Sequence, residues 1–270
     1  MTRPRLLAKI ASLAFFALPA AAHEFWVQPL DYAVDVGEPI QGVLKNGDMF
    51  KGPTYPYLDE WFSRFEVIDR KGATPVIGRR GDSPALNFKT ERGGLHIVAY
   101  ASTMYSLTYA NFEKFAFFVR SKKLDWVLDA HAARGLPDKV KETYSRYPKA
   151  LVKVGSGAGR DRLVGMPFEL VAEINPYSDA AKDGVRVRLY YEGEPYPGAD
   201  VQIFHRPGDG EEVVKDHVTT DATGRAVIPA FDGGPFLINA TMIREPRAEG
   251  AAKGAMWESL WASMTYEVEK

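Results

Sequence analysis

Short runs of alternating apolar and polar residues dominate the first part of the chain. "YAVDVGEPIQGVL" (32–44) reads as two strands about a turn at Gly37. "FSRFEVIDRKGATPVI" (Phe62–Ile77) reads as a hairpin turning at Lys71-Gly72, "GGLHIVAYAS" (Gly93–Ser102) as a buried strand and "YSLTYA" (Tyr105–Ala110) as another. The period then changes. Phe112, Phe115, Phe118 and Val119 fall at the three- and four-residue spacing of one helical face, with Asn111 as N-cap. Leu124 to Arg134 reads as a second helix stopped by Gly135, and "DKVKETYSRYPKALVKVG" as a third helical stretch limited by Pro148. "GSGAGRDR" (Gly155–Arg162) has no apolar period and reads as a flexible connector.

Beyond it the strand pattern returns at Phe168–Ile174, Val185–Tyr191, Ala199–Phe204, Val213–Thr219, Arg225–Pro229, Phe236–Ile243 and Trp257–Val268. Asp221 and Gly224 mark a tight turn, and "GAAKGA" (Gly250–Ala255) reads as a mobile loop before the last strand. The expected fold is mainly β: two β-sandwich domains of immunoglobulin or transthyretin type with a helical insert between them. The divisions fall at 23–110 for the first sandwich, 111–154 for the insert, 155–163 for the connector and 164–270 for the second sandwich.

The first 22 residues stand apart. Arg3, Arg5 and Lys9 precede an apolar run from Ile10 to Leu18, too short to span a bilayer, and Ala20-Ala21-Ala22 forms a small-x-small cleavage site. This is the pattern of a cleaved secretory signal, so the expected location is the periplasm. The chain has no cysteine, which excludes disulfides and thiolate metal sites. A formal net charge of -1 with interspersed signs gives no electrostatic footprint for nucleic acid. There is no G-x-S-x-G, H-E-x-x-H or P-loop, and no enzymatic turnover is expected.

The candidate chemistry lies in the five histidines. Cleavage after Ala22 makes His23 the first residue, and its α-amine and imidazole then chelate one ion together. Cleavage after Ala20 leaves Ala-Ala-His, which offers an amine, two amides and an imidazole. Either nitrogen set favours Cu(II) or Ni(II). A second imidazole is sought at His131, which otherwise caps its helix, or at His96, which otherwise packs in its strand. His205 and His217 lie near polar turns and read as surface residues, and Glu24 is the nearest carboxylate to His23. The aromatic residues Trp26, Trp61, Tyr55, Tyr57, Tyr144 and Tyr147 line a ligand pocket or, dispersed as they are, fill cores. Tyr144, Arg146 and Lys149 in "YSRYPK" are candidates for a role at the domain junction.

Eight blocks, "AHEFWVQP", "FSRFEVID", "HAARGLP", "ETYSRYPKALVKVG", "GAGRDRLVG", "EINPYSD", "TDATGRA" and "WESLWASMTY", resemble in order the periplasmic family of unknown function numbered 4198. That family is linked by name to nickel and cobalt uptake. The resemblance implies an exported accessory protein of nickel or cobalt acquisition, taking ion or chelate and working with a membrane metal transporter. The nitrogen set at His23 adds Cu(II) as an alternative to Ni(II). Two other classes compete: a copper histidine-brace oxidase or monooxygenase, and a β-sandwich adhesion module that binds no metal.

Overall fold

The computed structural model describes residues 23–207 and 212–268, so the expected signal segment 1–22 lies outside the described residues. In chain order the first strands are β1 (Glu24–Pro29), β2 (Ala33–Val34), β3 (Pro39–Gly47), β4 (Thr54–Tyr55), β5 (Phe62–Asp69), β6 (Gly72–Pro75), β7 (Leu86–Lys89), β8 (Gly94–Ser102) and β9 (Tyr105–Thr108). Helices α1 (Phe112–Ser121) and α2 (Trp126–Ala133) follow, then the long strand β10 (Lys141–Val154). The remainder runs through β11 (Phe168–Ala172), β12 (Val185–Tyr191), β13 (Glu194–Pro195), β14 (Asp200–His205), β15 (Val214–Thr219), β16 (Arg225–Ile228) and β17 (Gly234–Arg244). Helix α3 (Ala248–Ala252) and strand β18 (Trp257–Val268) close it.

The chain is mainly β, as the alternation predicts, and its sandwiches share a sheet. Ten strands form one sheet ordered β15-β14-β17-β18-β10-β8-β5-β6, with β2 and β9 on β10. Smaller sheets flank it: β1-β3-β4 with β7 on β3, and β11-β12-β13 with β16 on β12. Because side chains alternate along a strand, β8 feeds two cores. Ile97, Ala99 and Ala101 join the core with Phe168, Leu170 and Leu189, whereas Val98 and Tyr100 join that with Val27, Ile40 and Leu86. A strand covered on both faces reads as a near-continuous apolar run, as "GLHIVAYAS" does.

The third helical stretch is corrected. Lys141–Val154 is strand β10, parallel to β18 from Glu142↔Trp257 to Ala150↔Thr265. Its other edge takes β9 up to Tyr144 and β8 from Leu151, so Pro148 sits where the strand changes neighbours and its missing amide is tolerated. The β10–β18 pairing joins the N-terminal and C-terminal parts into one sheet.

The first two helices stand as expected. Asn111 caps α1 by accepting from the Lys114 amide at 3.0 Å, and Phe115, Phe118 and Val119 pack against Trp257 and Trp261 of β18. The "GAAKGA" stretch is partly helical, in α3, rather than loop throughout. The connector is fastened rather than free. Asp161 accepts from Lys149 Nζ at 2.7 Å and from the Ala172 amide at 2.8 Å, and Asn175 donates to the carbonyls of Gly157 and Gly159. Among the described residues no helix is long and apolar enough to cross a membrane.

Candidate functional site

His23 is half-buried on the wall of a cleft of about 680 Å³, which β1, the segment 107–111, α1 and β14–β15 enclose. The backbone there is anchored. Arg146 Nη2 donates to the His23 carbonyl at 3.4 Å, and the next side chain, Glu24, accepts from Lys122 Nζ at 2.5 Å. Lys122 also donates to Gln202 Oε1 at 2.6 Å and lies 4.8 Å from the Trp261 ring, which fixes the end of α1 against β1 and β14. Phe25 and Trp26 then turn to opposite sides. Phe25 meets Tyr100 at 5.4 Å, and Trp26, fully buried, meets Phe50 edge-on at 6.1 Å. Alternation along β1 thus places Glu24 and Trp26 on one face and Phe25 on the other. Asp48 and Glu113 supply further carboxylates to the cleft.

The other histidines are dispersed. His131 is 2 % exposed in the aromatic core, 5.2 Å from the Phe112 ring and 5.7 Å from that of Phe115. Its Nδ1 accepts from Trp257 Nε1 at 3.0 Å, so in the neutral ring Nε2 carries the proton, enclosed with no partner among the described residues. His96 faces the Gly94 carbonyl through Nδ1 at 3.2 Å, and burial pushes its pKa below the ordinary value. It lines a separate cleft of about 320 Å³ with Asp69 and Arg92, which pair at 2.8 Å. His205 corrects the surface reading. At 2 % exposure it lies between Phe231 and Phe236, with Nε2 donating to the Gly233 carbonyl at 2.6 Å. His217 is exposed, as expected, beside Asp200 at 3.2 Å. Among the described residues no three His, Asp or Glu side chains gather as a ready metal set. His23, His96 and His131 are therefore not brought together.

Three polar groups on β10 carry more of the architecture than their sequence implies. Lys149, fully enclosed, donates to Asp161 at 2.7 Å, to Glu169 at 3.2 Å and to the carbonyls of Arg162 and Leu170 at 3.1 Å. Glu142 accepts from Tyr109 Oη at 2.5 Å and from Ser259 Oγ, and burial raises its pKa to about 7. Arg146 stands among aromatic rings with no carboxylate in contact among the described residues. Of the aromatic candidates, Tyr55, Trp61 and Tyr144 meet around Arg146, whereas Trp26, Tyr57 and Tyr147 are buried in cores. The motif "YSRYPK" lies on β10, and its charged residues hid this strand's burial.

No curated protein matches the chain. Among solved structures it is similar to a tetra-tandem repeat in the extending region of a large adhesion protein, at 12% identity over 92% of this chain and 50% of that chain, TM-score 0.23. It is also similar to Salmonella alpha-2-macroglobulin reacted with methylamine, at 14% identity over 93% of this chain and 15% of that chain, TM-score 0.22. Escherichia coli alpha-2-macroglobulin activated by porcine elastase gives 13% identity, coverages of 92% and 20%, and TM-score 0.25. The chain spans about half of the adhesion-protein chain and a fifth or less of these macroglobulins, and likenesses this distant carry no functional argument. The family model is decisive by contrast: described as a domain of unknown function (DUF4198), it matches residues 20–244, and the chain belongs to that family.

Proposed function

We propose that this is an exported metal-binding accessory protein of transition-metal acquisition, whose site is created when export processing frees the amine of His23. The observation that carries the reading is the anchoring of this one residue. His23 faces a cleft of about 680 Å³ while Arg146 and the Glu24–Lys122 pair hold the backbone beside it. A chelating terminus held in place loses less freedom on binding than a frayed one. His131 and His205 are each 2 % exposed with one ring nitrogen hydrogen-bonded inside the fold, whereas His23 borders a cleft that an incoming ion can enter.

The fit to a metal is therefore partial and specific. The α-amine and imidazole of His23 would hold Cu(II) or Ni(II), with cobalt a weaker match, as nitrogen ligands in a cleft that also offers Asp48 and Glu113. The bound ion supplies no reaction in this reading; the protein carries it, as ion or chelate, toward a membrane transporter.

The test begins with the intact mass of the exported protein, which fixes the cleaved bond. Cu(II) and Ni(II) titrations of protein starting at His23 should then give about one equivalent bound near neutral pH. Affinity should fall steeply toward pH ~5, because protons compete with the metal for amine and imidazole nitrogens. Flat affinity over that range contradicts the amine-imidazole site. Peroxide production by the copper-loaded protein with ascorbate would place it among the oxidases instead.

A further inference from the structure

A second, smaller cavity of about 160 Å³ opens beside β1, and its walls are rings: Phe25, Tyr55, Trp61, Tyr105 and Tyr144. Strand register builds it. Tyr105 of β9 lies opposite Tyr144 of β10, and the two rings stack at 5.6 Å and 26°. Tyr55 meets Trp61 edge-on at 5.6 Å. The hydroxyls of Tyr100 and Tyr105 each donate to the Trp61 carbonyl at 3.2 Å, so the walls are fixed and these polar tips are occupied. Such a pocket is formed before any guest arrives.

Its cation is Arg146. The guanidinium sits 4.7 Å from the Tyr144 ring and 5.6 Å from the Phe25 ring, and aromatic faces contribute up to about 2 kcal/mol to a desolvated cation. They do not replace acceptors in the plane of the fork. Nη2 reaches only the His23 carbonyl, at a long 3.4 Å, and Nε is enclosed with no acceptor among the described residues. Glu142, four residues earlier on the same strand face, directs its oxygens to Tyr109 and Ser259. A guanidinium keeps its charge whatever surrounds it. Arg146 is half-buried, and its enclosed Nε lacks an acceptor among the described residues, so the fork is set up for an anion from outside.

We propose that this cavity binds a small monocarboxylate with a planar apolar body, the carboxylate received by Arg146 and the body held between the rings. The guanidinium fork matches the two oxygens of a carboxylate. One fixed positive charge among electron-rich ring faces suits one negative charge and disfavours a dianion. The resident cation also excludes an ammonium guest, which an aromatic cage without it would accept. The volume is close to that of an engineered cavity of roughly 150 Å³ in another protein that takes benzene. The site shares Arg146 with the anchoring of His23 but uses neither the His23 amine nor an ion.

Calorimetric titration of metal-free protein with benzoate, benzamide and phenyl phosphate tests this without any substitution. Benzoate should bind with about one equivalent and about tenfold or more tighter than its neutral isostere benzamide, a gap of roughly 1.4 kcal/mol. Equal affinity for the two, no heat from benzoate at millimolar concentration, or tighter binding of phenyl phosphate would overturn the proposal. Arg146→Gln should level benzoate with benzamide. If that variant fails to fold, Trp61→Ala should still weaken benzoate while leaving the circular dichroism unchanged. Undiminished benzoate affinity in a folded Trp61→Ala protein would overturn the assignment to this cavity. Repeating the titration on protein extended before His23 should give the same affinity, which separates this outcome from that of the metal site.

Discussion

Lys122 Nζ lies 2.5 Å from Glu24 Oε1, with each side chain 5% exposed, so the end of α1 grips the first residue of β1 through a buried ion pair. Sequence distance makes the link consequential: 98 residues separate the partners. Removing one member of a buried pair leaves the other charged and uncompensated, at a cost of about 3–5 kcal/mol.

Lys122→Met should therefore destabilise strongly, and adding Glu24→Gln should restore part of the loss. Urea denaturation of both single variants and the double variant measures the coupling. Strictly additive effects would show that the pair does not act as a unit.

Lys149 supports a second prediction, about the connector. Lys149→Met leaves Asp161 and Glu169 enclosed without their cation and should cost about 3–5 kcal/mol. Arg162 also donates through Nη2 to the Asp69 carbonyl at 2.8 Å, which ties the segment to the N-terminal hairpin. Trypsin should cut slowly at Arg160 and Arg162 in the wild type and much faster in Lys149→Met. Rapid cleavage there in the wild type would mean the segment is a free joint.

The two readings of "KETYSRYPKALVKV" show where the sequence stopped being legible. Strands Val185–Tyr191 and Trp257–Val268, the hairpin at Lys71-Gly72 and the Asn111 cap follow from period and turn chemistry that act locally. Strand β10 does not, because its Lys, Glu and Arg residues favour helix by local propensity. Their partners come from afar: Asp161 and Glu169 for Lys149, Tyr109 and Ser259 for Glu142. A polar strand buried on both faces is explained only by these distant groups. The same holds for His205, whose polar neighbours in sequence concealed its place between two phenylalanine rings. The interest of His23 was readable from its position behind Ala22, whereas the Arg146 cavity required the β9–β10 register.

Glu142 gives a pH signature. Its folded value of about 7 lies above the ordinary 4.5, so the folded state holds the proton more tightly than the unfolded chain. Below about pH 4.5 both states are protonated; as pH rises to about 7 the folded protein loses roughly 3 kcal/mol of relative stability. Glu142→Gln should abolish that slope and gain stability near pH 8. The difference between the two unfolding profiles isolates this residue from His96, whose lowered value acts in the opposite sense as pH falls below about 6.5. Identical profiles would contradict a buried, proton-holding Glu142.

His131 and His23 should separate stability from binding. His131→Ala removes the acceptor for the Trp257 indole N–H and should cost about 1–3 kcal/mol while leaving metal affinity intact. His23→Ala should leave the melting temperature nearly unchanged and abolish binding. Loss of metal in a folded His131→Ala protein would move the site into the helical core.

The most direct test of the metal account changes only what precedes His23. Protein beginning at His23 should bind about one equivalent of Cu(II) or Ni(II). The same protein carrying Gly-Ser-Gly before His23 should keep its circular dichroism and lose that binding, because the amine no longer shares the ion with the imidazole. Full-strength binding by the extended protein would contradict a site made by export processing.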